Sequence, residues 1–339
     1  MRILIVTDAW TPQVNGVVRT LQSLRAELAH MGHHVVMLSP DLFASLPCPT
    51  YPEIRLALAF GRAVDARISG AAPDAIHIAT EGPLGLAARN WCLRHGYPFT
   101  SAYHTQFPEY VAKRTRMPSN WFWRYIRWFH APAASVLVST PTVARQLTAN
   151  GIVRTRHWGR GVDTARFRPD IPPLPAFARL TRPIQLYVGR LAIEKNVAAF
   201  LDTGHPGSKV VVGEGPASNS LKQRYPHASF TGALHGDSLA SAYAAADVLV
   251  FPSRTDTFGL VMIEALSCGV PVAAFPVPGP SDILRDDVGA MDACLARAIA
   301  RALKLDRSAC AEYAGSFSWA ASARQFLDAL APIERKQAA

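Results

Sequence analysis

Short apolar runs alternate along the whole chain with segments whose apolar residues have helical spacing. The chain opens with Arg2–Val6, a run typical of a strand buried on both faces of a sheet. After a polar loop, Val17–Met31 carries apolar side chains along one helix face and ends at Gly32. A second apolar run, Val35–Leu38, completes a strand–helix–strand unit. This pattern predicts a right-handed β-α-β crossover.

The same alternation recurs in both halves of the chain. The other predicted strands are Ala75–Ile78, Phe99–Ala102, Ser135–Ser139, Gln185–Val188, Val210–Val212, Val248–Phe251 and Val270–Phe275. The helical segments include Leu84–His95, Ser238–Ala246, Phe258–Cys268 and Phe317–Leu330. Two series of this kind predict an α/β protein with two doubly wound parallel sheets.

A proline-rich stretch, 168–183, divides the two series. A chain of 339 residues also suits two domains better than one core. We therefore predict an N-terminal domain over 1–168 and a C-terminal domain over 169–315. The last segment, 316–339, is predicted to be a helix that crosses back to the first domain.

Composition places the chain among globular proteins, with 49% apolar and 18% charged residues. The five cysteines are scattered and form no C-x-x-C pair, which favours reduced thiols over a disulfide framework or a zinc site. The short run Ile3–Val6 is followed almost at once by Asp8, unlike a signal peptide. Since there is also no apolar stretch of about 20 residues, we expect a cytoplasmic protein that is soluble or peripheral at the inner face of the membrane.

The net charge of +10 is concentrated in the first half of the chain. Lys and Arg outnumber Asp and Glu by 19 to 10 in residues 1–170, but only by 16 to 15 in residues 171–339. A basic half suggests an anionic partner, which could be a membrane surface, a nucleic acid or an acidic substrate. A merely soluble, arginine-rich protein is the alternative.

Two cations follow the predicted strand Gln185–Val188, within the segment Gly189–Asn196. Arg190 and Lys195 lie at the carboxyl edge of a sheet, where α/β proteins bind ligands. Fixed positive charge of this kind suits a diphosphate leaving group. A surface salt-bridge network with Glu194 would explain the same residues.

A pair of acids follows the predicted strand Val248–Phe251. Asp256 lies in the loop before a helix and Glu264 lies inside that helix, so the two carboxylates can accept hydrogen bonds from different hydroxyl groups of one extended ligand. The helix N-terminus favours phosphate, and its backbone N–H groups are those near Phe258, Gly259 and Leu260. The alternative is a capped helix with a buried Glu.

Four motifs in register carry a resemblance to a known family. They are Gly189–Asn196, Val212–Pro216, Ala242–Ser253 and the acid-containing segment Ser253–Glu264. The chain resembles the family 4 retaining glycosyltransferases of GT-B fold, which have two Rossmann-like domains facing across a cleft. The resemblance implies that Arg190 and Lys195 bind the donor diphosphate. It also implies that Asp256 binds the sugar and Glu264 the nucleotide ribose.

The chain departs from the family pattern at two places. The first acid is Asp256, where the family usually has Glu. The form Thr255–Gly259 resembles a subgroup that contains sulfoquinovosyl-lipid synthases, phosphatidylinositol mannosyltransferases and diacylglycerol glycosyltransferases. The second departure is Pro276–Pro280, where many relatives carry a glycine pair.

In the first half, the resemblance implies an acceptor side. Gly16, beside Asn15, would face the donor phosphates, although an Asn-Gly pair taken alone indicates only a turn. His104 follows a predicted strand and would lie near the reacting centre, unless it is a satisfied histidine at a strand end. We also assign Tyr103 and Glu81, another strand-end residue, to the acceptor side.

The segment 113–130 mixes cations with aromatic residues. Such a mixture suits a membrane interface, although RNA-binding surfaces use similar residues, and a helix could instead pack its aromatic side chains inward. The residues predicted to form a membrane surface are Lys113, Arg114, Arg116, Trp121, Trp123, Arg124, Arg127 and Trp128.

Together these features predict a retaining, metal-independent hexosyltransferase with no cofactor. The donor would be a UDP- or GDP-sugar and the acceptor a membrane lipid such as diacylglycerol. The predicted catalytic residues are His104, Arg190, Lys195 and Asp256. The alternatives are transfer to a soluble sugar or polysaccharide, a relative that binds nucleotide sugar without turnover, and a basic nucleic-acid-binding protein. The last offers no use for the paired acids, so no nucleic acid is expected as a partner.

Overall fold

The computed structural model describes the chain except for residues 14, 49–50, 59–60, 105–118 and 335–339. It forms two compact units. The first contains Met1–Gly159 and the segment from Trp319 onward, and the second contains Arg160–Ser318. Each unit is built on a six-stranded parallel sheet, which confirms the predicted α/β class with two Rossmann-like domains.

The first unit contains eight strands among its described residues. They are β1 (Arg2–Val6), β2 (His34–Leu38), β3 (Ser45–Cys48), β4 (Tyr51–Ala57), β5 (Ala75–Ile78), β6 (Thr100–Tyr103), β7 (Val136–Val138) and β8 (Thr155–His157). Six of them form a parallel sheet in the order β2-β1-β5-β6-β7-β8, and β3 and β4 form a separate antiparallel hairpin. The helices that connect them are α1 (Gly16–His30), α2 (Arg62–Ala71), α3 (Pro83–His95), α4 (Ser119–His130) and α5 (Pro141–Ala149).

Alternate residues of β1 face the two layers of helices that cover this sheet. Leu4 and Val6 belong to the core shared with α2 to α5, while Ile3 and Ile5 belong to the core shared with α1. All four are at most 1% exposed. Burial on both faces explains why the strand is a continuous apolar run.

The second unit repeats this plan. Its strands are β9 (Ile184–Val188), β10 (Ser208–Val212), β11 (Ser229–Gly232), β12 (Val248–Phe251), β13 (Val272–Ala274) and β14 (Gly289–Met291), in the order β11-β10-β9-β12-β13-β14. Its helices are α6 (Val197–Leu201), α7 (Ser218–Arg224), α8 (Gly236–Ala245), α9 (Leu260–Ser267), α10 (Pro280–Ile283), α11 (Leu295–Ala302) and α12 (Arg307–Ala314).

The last helix, α13 (Trp319–Ala329), belongs to the first unit. Ala323 and Phe326 pack with Leu21 and Leu24 of α1. After the helix, Ile333 donates its N–H to the carbonyl of Asp74 at 2.8 Å. The first boundary between the two units falls after Gly159, upstream of the boundary at 168 that the proline-rich stretch suggested, and the chain returns to the first unit at Trp319.

Burial of three cysteines leads to a prediction about thiol reactivity. Cys92, Cys268 and Cys310 are at most 1% exposed, and burial raises the pKa of each thiol to about 12. Because the thiolate is the reactive species, a thiol reagent at pH 8 should modify partly exposed Cys294 well before these three. The labelling is measured by mass spectrometry in a Cys48→Ser variant, since the side chain of Cys48 lies outside the described atoms. Equal rates at all four cysteines in the folded protein would contradict the buried positions.

Candidate functional site

The loops that follow β9 and β12 carry the predicted donor residues. From β9 the chain runs outward to β10 and β11, then returns to β12 and continues to β13 and β14 on the other side. In parallel α/β sheets the crevice at such a topological switch point binds ligands. Arg190 and Lys195 follow β9 and Asp256 follows β12, so the topology gathers them at the carboxyl edge of this sheet.

Lys195 and Asp256 form an ion pair, with Nζ and Oδ1 2.5 Å apart. Their side chains are 27% and 22% exposed, respectively. A ligand can therefore reach both groups: the ammonium can donate to phosphate oxygens, and the carboxylate can accept from sugar hydroxyls. The sequence left a salt bridge with Glu194 open, and the structure pairs Lys195 with Asp256.

Arg190 is half-buried at the same edge, and its backbone is fixed by a tyrosine. The hydroxyl of Tyr187 donates to the carbonyl of Arg190 at 2.9 Å. Burial raises the pKa of Tyr187 well above its usual value, and the negative charges of Asp256 and Glu194 raise it further. The phenol therefore stays protonated and keeps this hydrogen bond at neutral pH.

Two glycines let the loop after β10 lie against the loop after β9. A Cβ on Gly213, whose φ is +139°, would lie 1.9 Å from the carbonyl oxygen of Gly189. A Cβ on Gly215 would lie 2.4 Å from the carbonyl oxygen of Leu191. The N–H of Leu191 donates to the carbonyl of Glu214 at 2.8 Å. The Gly-Glu-Gly motif therefore holds the segment that carries Arg190.

Further contacts join the loops around Asp256. Asn196 donates from Nδ2 to the carbonyl of Pro252 at 3.1 Å, which ties the β9 loop to the end of β12. Gly279 has a φ of +91°, and a Cβ there would lie 2.7 Å from the carbonyl oxygen of Asp256. The segment Pro276–Pro280, which departs from the family pattern, thus approaches the backbone of Asp256 through its own glycine.

Glu264 lies inside α9 and is only 4% exposed. Its Oε2 accepts a hydrogen bond of 3.0 Å from the hydroxyl of Tyr243, a buried residue of α8. This hydrogen bond offsets part of the cost of burying the carboxylate. Sequence reasoning missed Tyr243, although it lies within the motif Ala242–Ser253.

At the start of α9, aromatic side chains pack together while backbone N–H groups lack a side-chain cap. Phe258 is buried and meets Phe317 edge to face, with ring centroids 6.2 Å apart. Gly259, at a φ of +89°, approaches Phe251 so closely that a Cβ would lie 2.9 Å from that ring. Gly259 is also the N-cap residue and supplies no side-chain acceptor. The first-turn N–H groups at Leu260 are thus left uncapped by any side chain that the structure describes, and this favours an anion.

A third cation near Asp256 was not singled out from the sequence. The guanidinium carbon of exposed Arg254 lies 3.6 Å from the centroid of the Phe275 ring, at the end of the neighbouring strand β13. This cation–π contact holds the side chain over the sheet edge. Its position in the loop that follows β12 was the available signal.

The first sheet has its own switch point, between β1 and β5. Asp8 follows β1 and is used inside the fold: its carboxylate accepts from the N–H of Leu84 at 2.8 Å, the N–H of Gly85 at 3.2 Å and the hydroxyl of Thr80 at 2.8 Å. Asp8 therefore caps α3. Burial raises the pKa of Asp8, and these hydrogen bonds oppose that rise.

Glu81 follows β5 at the same edge and makes different contacts. Its Oε1 lies 3.2 Å from Nε2 of His130, and its carbonyl oxygen accepts from the hydroxyl of Tyr125 at 2.6 Å. The side chain of Glu81 is 22% exposed, whereas that of His130 is fully buried. The Glu81 carboxylate is thus partly accessible to a ligand, while the buried ring of His130 fixes its Oε1 atom.

Gly16 begins α1, after the predicted loop. Asn15 caps the helix, because its Oδ1 accepts from the N–H groups of Val17 and Val18, each at 3.0 Å. A Cβ on Gly16 would meet no described atom within 4 Å. The Asn-Gly pair is therefore a helix cap with open space beside it.

Tyr103 and His104 lie at the end of β6 in different environments. The prediction that Tyr103 lines an acceptor surface is wrong. The strand extends through Tyr103, whose side chain faces the core, is 0% exposed and stacks on Trp123 with centroids 6.1 Å apart. His104 is half-buried, and its ring meets Trp158 edge to face at 5.5 Å.

Helix α4 divides its aromatic residues between two faces. Trp121 is 65% and Trp128 49% exposed, and Arg124 and Arg127 are exposed as well. Trp123 is 6% exposed and packs into the core with Ile126 and Phe129, so its assignment to a membrane surface is wrong. The spacing from Trp123 to Ile126 and Phe129 places these three side chains on the inner face. Lys113, Arg114 and Arg116 lie outside the described residues.

In the part of the chain that the structure describes, no helix is long and apolar enough to cross a membrane.

Two family models together match most of the chain. Glycosyltransferase Family 4 matches residues 14–166, and Glycosyl transferases group 1 matches residues 182–304. Among solved structures, a sucrose-phosphate synthase from Thermosynechococcus elongatus has a TM-score of 0.77 at 24% identity, covering 96% of this chain and 97% of its own. HepE from Anabaena, in complex with UDP and glucose, has a TM-score of 0.71 at 15% identity and covers 97% of this chain and 98% of its own. These likenesses establish the fold.

Curated relatives of similar sequence include glycosyltransferases from plants and bacteria. A sulfoquinovosyl transferase from Arabidopsis thaliana is 31% identical over 81% of this chain, which spans 59% of that protein. A GDP-mannose-dependent alpha-mannosyltransferase from Mycobacterium tuberculosis is 31% identical over 84% of this chain and 81% of its own length. An alpha-monoglucosyldiacylglycerol synthase from Streptococcus pneumoniae is 29% identical over 84% of this chain and 74% of its own. The chain therefore belongs to the family 4 glycosyltransferases of GT-B fold, and it is a hexosyltransferase that uses a nucleotide sugar.

Proposed function

We propose that the chain transfers a hexose from a UDP- or GDP-sugar to a hydroxyl group of a membrane lipid such as diacylglycerol. In this proposal the transfer retains the anomeric configuration and requires no metal ion. The observation that carries it is the accessible ion pair of Lys195 and Asp256 at the switch point of the second sheet.

The two groups of the ion pair suit the two parts of the donor that are joined by the bond to be broken, the diphosphate and the hexose. When the donor binds, phosphate oxygens take the place of the carboxylate beside Lys195, and sugar hydroxyls donate to Asp256. Arg190, on the same loop as Lys195, adds a second positive charge to the diphosphate. As the bond from the anomeric carbon to phosphate oxygen lengthens, negative charge grows on the diphosphate. The two cations therefore stabilise the transition state more than the ground state.

Retention follows if the acceptor attacks from the face that the diphosphate leaves. The acceptor oxygen bonds to the anomeric carbon as the bond to phosphate breaks, and the acceptor proton passes to the departing phosphate oxygen. No protein nucleophile is needed in this scheme. His104 remains our candidate for a residue beside the reacting centre.

The outer face of α4 supports a lipid acceptor. Trp121, Arg124 and Trp128 are three and four residues apart and exposed, so cations and indole rings share one helix face. Such a face suits anionic head groups and the head-group layer of a membrane. The name of the Streptococcus pneumoniae relative also specifies a diacylglycerol product.

Loss of this face should weaken membrane binding. In flotation with vesicles that contain phosphatidylglycerol, a Trp121→Ala/Arg124→Ala variant should bind about tenfold more weakly than the unchanged protein. The reason is that one basic residue near an anionic surface contributes about 1 kcal/mol and an interfacial indole adds to it. The matched control is Leu93→Ala/Arg145→Ala, which removes an exposed apolar and an exposed basic residue elsewhere in the same unit. Equal flotation of both variants and the unchanged protein at low salt would count against the membrane surface.

A soluble acceptor is the second candidate. The Mycobacterium tuberculosis relative is a GDP-mannose-dependent alpha-mannosyltransferase whose name specifies no lipid. A panel of UDP- and GDP-sugars against diacylglycerol vesicles and soluble saccharides separates the two candidates. Tight, salt-sensitive binding of RNA without donor turnover would instead favour the nucleic-acid alternative.

A further inference from the structure

At the switch point between β1 and β5, the described residues include two carboxylates, Asp8 and Glu81, and Glu81 is the more accessible of the two. Asp8 is 9% exposed, and its oxygens accept hydrogen bonds from the start of α3 and from Thr80. The backbone of Gly82 also packs closely against the Asp8 carboxylate, since a Cβ at Gly82 would lie 2.4 Å from Cγ of Asp8. Asp8 is therefore committed to the fold. Glu81 is more exposed, at the switch point where α/β sheets bind ligands.

A chain of two hydrogen bonds holds the Glu81 carboxylate. His130 lies between Glu81 and Ser101: its Nε2 is 3.2 Å from Oε1 of Glu81, and its Nδ1 is 2.8 Å from the hydroxyl oxygen of Ser101. An ionised carboxylate can only accept, so Nε2 carries the hydrogen toward Glu81. In the neutral ring, Nδ1 then accepts from the Ser101 hydroxyl. Because His130 and Ser101 are buried, this arrangement restricts the ring to one orientation.

The Oε2 atom of Glu81 is left for another donor. The contacts that the structure gives the Glu81 side chain involve Oε1 alone. The hydroxyl of Tyr125 fixes the backbone of the same residue at 2.6 Å. Among the residues that the structure describes, the carboxylate is thus fixed in position and partly exposed, and its Oε2 receives no hydrogen bond. This is the state expected of a group that receives a ligand hydroxyl.

We propose that Glu81 binds a hydroxyl group of the acceptor and that His130 is the positioning residue that orients it. The ligand class is an alcohol. It is either diacylglycerol, whose single free hydroxyl is also the attacking group and passes its proton from this hydrogen bond to the departing phosphate oxygen as the new bond forms, or a soluble saccharide. The inference rests on the proposed transfer to a hydroxyl acceptor and adds the residue that selects it. Glu81 accepts a hydrogen bond and forms no covalent bond.

The same helix links this carboxylate to the proposed membrane surface. Tyr125 and His130 both belong to α4, whose outer face carries Trp121 and Arg124. The end of that helix is anchored by Arg89, which donates to the carbonyl oxygens of Trp128 at 2.8 Å and Phe129 at 2.9 Å. The helix proposed to meet the lipid surface therefore also fixes the group proposed to bind the lipid hydroxyl.

Steady-state kinetics with varied acceptor and saturating donor test the assignment. Glu81→Gln should lower kcat/KM for the acceptor by about 10- to 100-fold, the range for loss of a hydrogen bond to a charged group. The KM for the donor and the slow hydrolysis of the donor by water should stay within twofold. His130→Ala should lower the same acceptor parameter. The Glu81→Ala/His130→Ala double variant should be no worse than Glu81→Ala, because His130 acts through Glu81.

Two further variants separate positioning from general destabilisation. His130→Gln, whose amide can donate to Glu81, should recover part of the activity lost in His130→Ala. His95→Ala removes another histidine of the same unit, one whose ring stacks on Trp91, and should leave the acceptor parameter within twofold. If His130→Ala does not fold, Ser101→Ala, which removes the hydrogen-bond partner of Nδ1 of His130, provides the comparison with Glu81→Ala.

The outcomes distinguish this inference from the proposed function. If the unchanged protein glycosylates only soluble saccharides, the lipid acceptor is wrong, and the Glu81 variants are then measured with that saccharide. If it glycosylates no hydroxyl acceptor, both proposals fall. If transfer proceeds and Glu81→Gln keeps acceptor kcat/KM within twofold, the role of Glu81 is overturned. Multiplicative losses in the double variant would overturn the role of His130.

Discussion

Replacing Lys195 by alanine is expected to lower kcat at saturating donor by about 100- to 1,000-fold, the effect of removing one group that stabilises developing negative charge. The ammonium lies 2.5 Å from Asp256 at the switch point of the second sheet, where the leaving diphosphate would be bound. Its loss removes a charge whose value is greatest as the diphosphate departs, so kcat should fall more than donor affinity does. Initial rates with varied donor measure both quantities.

The matched control is Lys222→Ala, which removes an exposed lysine from α7 in the same unit. Its kcat should equal that of the unchanged protein. Lys195→Arg keeps the charge on a planar group of different shape, so it should recover only part of the activity. Turnover left intact by Lys195→Ala would remove Lys195 from the mechanism.

Replacing Gly213 by alanine is expected to destabilise the second unit by about 3 kcal/mol, at the upper end of the cost of one strained backbone position. The new Cβ would lie 1.9 Å from the carbonyl oxygen of Gly189 and 2.9 Å from its carbonyl carbon, and the φ of +139° is itself unfavourable for alanine. The backbone must shift to relieve the collision, and it would shift the loop that carries Arg190. Urea unfolding should therefore show reduced stability, and kcat/KM for the donor should fall with it.

Gly204→Ala is the control for this change. A Cβ at Gly204 would meet no described atom within 4 Å. Without a collision, this alanine should change the free energy of unfolding by less than about 1 kcal/mol. Similar stabilities for the two variants would show that the loops after β9 and β10 are not packed as described.

The fold could be predicted from the sequence because its central strands are buried on both faces. Such strands are continuous apolar runs, and Ala75–Ile78 and Val248–Phe251 were predicted with the bounds that the structure has. The hairpin of β3 and β4 was missed. Its strands include Pro47 and Pro52 and belong to neither large sheet, so they lack that signal.

The candidate donor site was predictable only in part. Motif order indicated Lys195, Asp256 and Glu264, but the ion pair depends on β9 lying beside β12, which is a property of the sheet order. The partner of Glu264, Tyr243, comes from another helix. By contrast, the burial of Trp123 could have been predicted from the sequence, because its spacing to Ile126 already indicates a shared helix face.

The contacts of Glu81 could not be read from the sequence. Ser101 and His130 come from a strand and a helix far apart along the chain, and only the packing of α4 brings the histidine to both residues. No local pattern marks such a set. A lone histidine at a helix end is ordinarily a packing residue, and His130 gains a specific role only from its two partners.

The most direct test of the proposed function is a panel of UDP- and GDP-sugars offered with diacylglycerol vesicles, with the product identified by mass spectrometry and its anomeric configuration by NMR. We predict a hexosyl-diacylglycerol that keeps the configuration of the donor sugar, forms in the presence of a metal chelator and disappears in the Lys195→Ala variant. No lipid product with any donor, or a product of inverted configuration, would contradict the account.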